Sequence, residues 1–281
     1  MSNKGFTGKV LWIDLSNKRY WEEEIPERLY ELLIGGKGLG AWLLLNNLPV
    51  GTPPLSAENI LMFMTGPLTG TFAPTSSRFA VITKSPKTGT FLDSYCGGFF
   101  GQAIKFMGYD GIILCKTSSK LVVVVIDKGK VDFLDGEDLK GATTFETDDY
   151  LRNLLGKDWR WVVIGPAGER KSPLAGVFSE GRCAGRGGAG AVMGSKNVKA
   201  IAIKNKGCVE VAKPVEFIRA CKEAYRSIRM SSAVRKLNRE GTPKMVEPLS
   251  RMGGIGTNNF QSDTPKFPEV IFPEKWWSEI W

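Results

Sequence analysis

The stretch from Gly181 to Gly194, GRCAGRGGAGAVMG, holds six glycines in fourteen residues, with Arg182 and Arg186 set among them. Glycine lets a backbone take positive φ and approach a ligand closely. Such a loop can turn several N–H groups toward an anion, most readily where a helix begins. Arginine adds a planar fork that fits phosphate oxygens. These residue types point to capture of a large, phosphorylated organic cofactor.

The block admits several readings. A P-loop fails, because that motif needs Gly-Lys-Ser/Thr and the chain reads Gly194-Ser195-Lys196. A dinucleotide fingerprint fits Gly185, Gly187 and Gly190, with Glu210 about 20 residues on. That motif, however, belongs between a strand and a full crossover helix. A loop specific to another cofactor is the third reading. A tight glycine turn with no ligand is the fourth, and the two embedded arginines argue against it.

With 281 residues the chain can bury a sizeable core in one large or two smaller domains. No apolar run reaches the roughly 18 residues of a membrane span. The first residues, MSNKGFTGK, lack the apolar core of a signal peptide, which predicts a cytoplasmic protein. The net charge of +9 suits an anionic ligand. It comes without a block of five or more basic residues, so nucleic acid and membrane are not expected partners. Histidine is absent, which removes Ser-His and Cys-His catalysis and His-ligated zinc within these residues. The five cysteines form no Cys-x-x-Cys pair and read as reduced thiols.

Periodicity predicts strands over 9–15, 18–25, 59–68, 77–86, 110–116, 121–127, 130–136, 159–168 and 199–205. Helices are expected after Pro26, over 39–47, 99–107 and 144–155, and in an amphipathic run from Pro214. The result is an α+β fold whose sheets face each other or a ligand. Beyond that last helix the chain is polar and rich in Gly and Pro, and ends in KWWSEIW. Such an apolar end is expected to pack against something, as though a second domain were beginning. The predicted domains are 1–208 and 209–281.

Two further loops are candidates. Arg78 follows a small-residue turn at the start of a predicted strand. Gly97 and Gly98 precede a predicted helix, whose N-terminus would offer free N–H groups. Cys96 beside them reads as a small buried residue. Trp12, Trp21, Trp42, Trp159 and Trp161 read as core, and Asp93, Asp110, Asp148 and Asp149 as turn and cap residues.

Five ordered segments together resemble one family. They are GPLTGT at 66–71, SSRFAVITKSPKTG at 76–89, GGFFGQAIKFMGYDGIIL at 97–114, IGPAGE at 164–169 and GRCAGRGGAGAVMGSKNVKAIAI at 181–203. The chain is similar to the N-terminal part of the aldehyde:ferredoxin oxidoreductases, tungsten or sometimes molybdenum pyranopterin enzymes. The resemblance implies two β-sheets forming a base for a bis-pyranopterin cofactor, followed by the start of a helical domain. It implies cofactor contacts at Arg78, Tyr95, Gly97, Arg182, Cys183, Gly185 and Arg186. It also implies a bridging magnesium held by the backbone carbonyls of Tyr95 and Cys183. Two residues depart from the family pattern: Tyr95 stands where Asn is common, and Cys183 where Ala is common.

The complete family reaction converts an aldehyde to a carboxylic acid and passes electrons through a [4Fe-4S] cluster to ferredoxin. Family members are longer, and their Cys-x-x-Cys-x-x-x-Cys cluster ligands are not among these residues. Their catalytic Glu and His are likewise in the part not represented. The expectation is a truncated product, one piece of a split gene, or a fragment, not competent alone. A separate chain carrying the cluster and catalytic domains is then a possible partner. The alternatives are a non-catalytic or relic subunit of a larger redox complex, and a dinucleotide-binding protein.

Overall fold

The computed structural model describes residues 5–263, 265–266 and 268–279. The chain divides into two compact units, Met1–Pro214 and Val215–Trp281. Trp281 lies outside the described residues, as do the side chains of Trp276 and Trp277.

Among the described residues, the first unit holds twelve strands in two six-stranded mixed sheets. The first sheet comprises β1 (Lys9–Asp14), β2 (Arg19–Glu24), β3 (Leu61–Met64), β4 (Phe79–Lys84), β5 (Phe91–Cys96) and β6 (Gly111–Cys115). Its order is β2-β1-β6-β3-β4-β5. The second comprises β7 (Val122–Asp127), β8 (Lys130–Asp135), β9 (Trp159–Val163), β10 (Val177–Ser179), β11 (Arg182–Ala184) and β12 (Val198–Lys204). Its order is β11-β10-β9-β12-β7-β8. β1 pairs parallel with β6 and β12 parallel with β7; the other pairings are antiparallel.

The period-2 alternation of strands decides where each side chain goes. In β1, Leu11 and Ile13 join the central apolar layer, whereas Val10 and Trp12 face the outer helices. Those helices are α1 (Glu27–Leu33) and α2 (Gly36–Asn47). In β7, Val122, Val124 and Ile126 join the central layer, whereas Val123 and Val125 pack with Leu151 of α4 (Thr144–Leu155). The central strands of both sheets are therefore buried on two faces. α4 starts at a capping box in which Thr143 and Glu146 bond each other's backbone N–H.

Two helices occupy the central layer and touch both sheets: α3 (Phe100–Phe106) and α6 (Ala189–Ser195). All seven residues of α6 are buried. Its glycines permit this. A Cβ on Gly190 would run into the Gly176 carbonyl, and one on Gly194 into the Gly168 carbonyl. Gly168 belongs to the short helix α5 (Pro166–Glu169). Beyond α6, the buried Lys196 Nζ donates to the carbonyls of Ala57, Asn59 and Lys116. Burial pulls the pKa of Lys196 down to about 8. Buried Lys199 is paired with Glu169.

The structure corrects several expectations. β5, β10, β11 and α6 lie outside the strands and helices that periodicity predicts. Trp21 is 46% exposed and stacks on Trp12 instead of entering the core. Asp110 is no simple turn residue: it is buried, pairs with Lys105 Nζ at 2.5 Å, and accepts from the Tyr30 hydroxyl at 2.6 Å. Burial lowers the Lys105 pKa, and Asp110 opposes that shift.

The second unit contains α7 (Pro214–Met230), α8 (Ser232–Glu240), α9 (Val246–Arg251) and α10 (Pro273–Glu279). α8 starts at Ser231, whose hydroxyl accepts from the Val234 N–H. Thr257 bridges to Ser262 around Asn258, Asn259 and Phe260, all three at positive φ. None of the described helices is long and apolar enough to cross a membrane.

The buried glycine contact yields a test. Gly194→Ala should destabilise the first unit by roughly 3 kcal/mol, at the upper end of overpacking, because the obstacle is backbone. Gly181→Ala, with no atom within 4 Å of its Cβ, should cost only about 1 kcal/mol of backbone strain. Equal urea midpoints for the two variants would contradict this account of α6.

Candidate cofactor-binding site

β5 is an edge strand of the first sheet, and β11 an edge strand of the second. An edge strand leaves some of its N–H and C=O groups unpaired within its own sheet. These two edges approach each other. A Cβ on Gly97 would lie 2.9 Å from Arg182 Cδ, so no larger residue fits there without a shift. At the other end of β5, Gly187 packs on Leu92, and Ser85 Oγ donates to the Gly187 carbonyl at 2.7 Å. Residues 182–187 therefore run antiparallel beside β5.

This path divides the glycine block. Gly190 and Gly194 lie inside α6 and serve packing. Gly188 caps that helix in the left-handed region, at φ 83°. Arg182, Cys183, Gly185 and Arg186 are exposed. The segment β11–α6–β12 is not a parallel βαβ unit, since β11 pairs with β10 and β12 with β9 and β7. The dinucleotide reading of Gly185, Gly187 and Gly190 therefore lacks the scaffold it requires.

Arg78 lies just before β4 and is exposed. Phe79 pairs with Cys96, so Arg78 and Gly97 are the next residues along their strands. Tyr95 pairs with Ala80 and is 42% exposed. Its hydroxyl donates to Asp93 Oδ2 at 2.8 Å, and Asp93 pairs with Lys37 Nζ at 3.0 Å. Partial burial, then Asp93, pushes the Tyr95 pKa up to about 12. The structure thus brings Gly97 and Arg182 together and sets Arg78 and Tyr95 on adjoining positions. Cys183, Gly185 and Arg186 continue along the facing segment.

Among the described residues, the guanidinium groups of Arg78 and Arg186 have no hydrogen-bond or ion-pair partner. That of Arg182 donates only to the Glu180 carbonyl, at 3.3 Å. Three cations with spare donors along two open strand edges fit a polyanionic ligand. The chemistry of the donor set thus suits a phosphorylated cofactor.

One of the N–H groups at the N-terminus of α3 is taken by the chain itself. The Phe99 N–H already donates to Glu180 Oε2 at 2.9 Å. The sequence reading missed Glu180. The signal was Ser-Glu-Gly-Arg within the glycine block, a two-residue hairpin loop between short strands.

Cys96 is buried, and burial, then the nearby Cys183, pushes its thiol pKa up to about 11. Partial burial also raises that of Cys183. Alkylation of Cys183 should rise with pH and need more alkaline conditions than an ordinary exposed thiol, while Cys96 stays unlabelled until the chain unfolds. Peptide mapping reads both sites, and fast labelling of Cys96 in the folded chain would contradict this arrangement.

The family model for the N-terminal domain of aldehyde ferredoxin oxidoreductase matches residues 10–205. A tungsten-containing aldehyde ferredoxin oxidoreductase of Pyrococcus horikoshii is 39% identical over 266 residues, covering 94% of this chain and 44% of that protein. Its counterpart from Pyrococcus abyssi is 39% identical over 261 residues, covering 92% of this chain and 43% of its own. A chain of the active-site complex BamBC of benzoyl coenzyme A reductase superposes with a TM-score of 0.79 at 35% identity. That match covers 85% of this chain and 36% of the other. The chain spans less than half the length of these relatives. It belongs to the aldehyde ferredoxin oxidoreductase family and contains that family's N-terminal domain.

Proposed function

We propose that the first unit holds a tungsten bis-pyranopterin, with molybdenum as the alternative metal, across the facing edges of β5 and β11. The observation that carries this reading is the set of arginines with spare donors beside two glycine-lined strand edges. The tungsten-containing relatives support tungsten as the metal. Arg78, Arg182 and Arg186 would bind phosphate oxygens through charge-assisted hydrogen bonds. Gly97 and Gly185 keep the approach to the backbone open. The carbonyls of Tyr95 and Cys183 are the proposed ligands of a bridging magnesium. When bound, the metal supplies Lewis-acid and two-electron redox chemistry.

This chain's own residues then bind and orient, and none is assigned proton transfer. Oxidation of an aldehyde to a carboxylic acid, with electrons passed to ferredoxin, belongs to the whole protein. A [4Fe-4S] cluster would need cysteines from outside these residues, because no Cys-x-x-Cys is present.

Elemental analysis after anaerobic purification tests the reading. About one tungsten or molybdenum per chain is expected, together with magnesium. Arg186→Ala should weaken retention about 10- to 150-fold, since a charge-assisted contact is worth roughly 1.5–3 kcal/mol. Metal and pterin content unchanged in Arg186→Ala would remove that residue from the site. Wild-type protein without either would overturn the assignment.

A further inference from the structure

Glu180 occupies a position that its side chain alone explains. β10 and β11 are joined by Glu180 and Gly181, both at positive φ, 50° and 72°. Such two-residue hairpin loops favour Asn, Asp or Gly at the first position. A glutamate in the left-handed region breaks that local preference. Residues that break a local rule are expected where tertiary contacts or function compensate.

The compensation is visible. Glu180 Oε2 accepts from the Phe99 N–H, at the start of α3. Glu180 Oε1 lies 3.1 Å from Arg160 Nε on β9, as an ion pair without hydrogen-bond alignment. The Arg160 guanidinium sits 5.6 Å from the centre of the Phe99 ring. One side chain thus ties the tip of a hairpin in the second sheet to the helix that leaves the first. The two glycines opposite accommodate it. A Cβ on Gly98 would lie 2.6 Å from Glu180 Oε2, and Gly98 has φ +91°. Gly97 gives the same room to Arg182.

We infer that Glu180 is a positioning residue that sets the spacing of the two cofactor-binding edges. It holds Arg182 against Gly97. The Gly97-Gly98 pair accordingly serves the chain's own hairpin as well as the ligand. This inference rests on the cofactor reading above, in that the spacing matters only if both edges contact one ligand.

Two variants of the full chain test it. Glu180→Asn suits the turn but is one methylene shorter and uncharged. Glu180→Gln keeps the reach and an acceptor for the Phe99 N–H but loses the charge. Hydrogen exchange at the Phe99 amide should be at least tenfold faster in Glu180→Asn and intermediate in Glu180→Gln. Exchange across β7 and β12 should not change. Pterin release from loaded protein, followed by fluorescence after oxidation, should quicken at least tenfold in Glu180→Asn. Glu180→Gln should restore part of that loss, which a role in turn stability alone would not predict.

Unchanged exchange at Phe99 in Glu180→Asn would overturn the inference. Faster exchange with unchanged pterin release would overturn it too, because the edges would then need no positioning. A wild-type chain that binds no pterin would defeat the cofactor reading and with it the positioning role, even if the exchange results show the clamp to be real.

Discussion

The approach of α6 to bare backbone is the contact on which the rest of the first unit depends. A helix lying between two sheets must pass close to its neighbours, and α6 does so through Gly190 and Gly194. Interiors are packed to near-crystalline density, so a single added methyl has nowhere to go. Because α6 is fixed, the chain entering it is fixed as well. That chain is Arg182–Gly188, the segment beside β5. The chain leaving it is fixed by Lys196, whose ammonium meets three carbonyls from loops flanking the first sheet. A buried charge of this kind is tolerable only when its donors are satisfied.

The candidate site lies where the protein has strand edges to offer. Four edges arise from two open sheets: β2, β5, β8 and β11. β5 and β11 are brought together by the central layer and held by the Glu180 contacts. Edge strands left unprotected invite pairing with other chains. Here β5 and β11 lie side by side and remain the edges of two separate sheets.

The sequence made the scaffold legible and concealed the edges. LVVVVID, KAIAIKN and KVLWID declare themselves as buried strands because both faces are apolar. The helical period over 144–155 marked α4. β10 and β11 are three residues each, and β11 reads Arg-Cys-Ala with two exposed side chains. No alternation can be read from so short a polar run. α6, AGAVMGS, is seven small or apolar residues with two glycines, a poor helix by propensity. Tertiary packing overrides that propensity, and only the folded context shows it. The proposed site residues came from family resemblance and the arginine–glycine pattern, and the structure brings two of them, Gly97 and Arg182, together. Glu180 was not legible in the sequence, because its partners are about 20 and about 80 residues away in the chain.

The acids near the site complete the argument. Asp93 and Glu180 are the carboxylates that stand beside Tyr95, Gly97 and Arg182. Left unpaired, either would compete for the arginines and weaken the attraction for a polyanion. Neither is unpaired: Asp93 is held by Lys37 and the Tyr95 hydroxyl, and Glu180 by Arg160 and the Phe99 N–H. Each carboxylate is thus committed to a cation outside the proposed ligand set. Arg78 and Arg186 have no carboxylate partner among the described residues. The charge pattern of the edge therefore follows from how its acids are bonded as much as from how many basic residues it has.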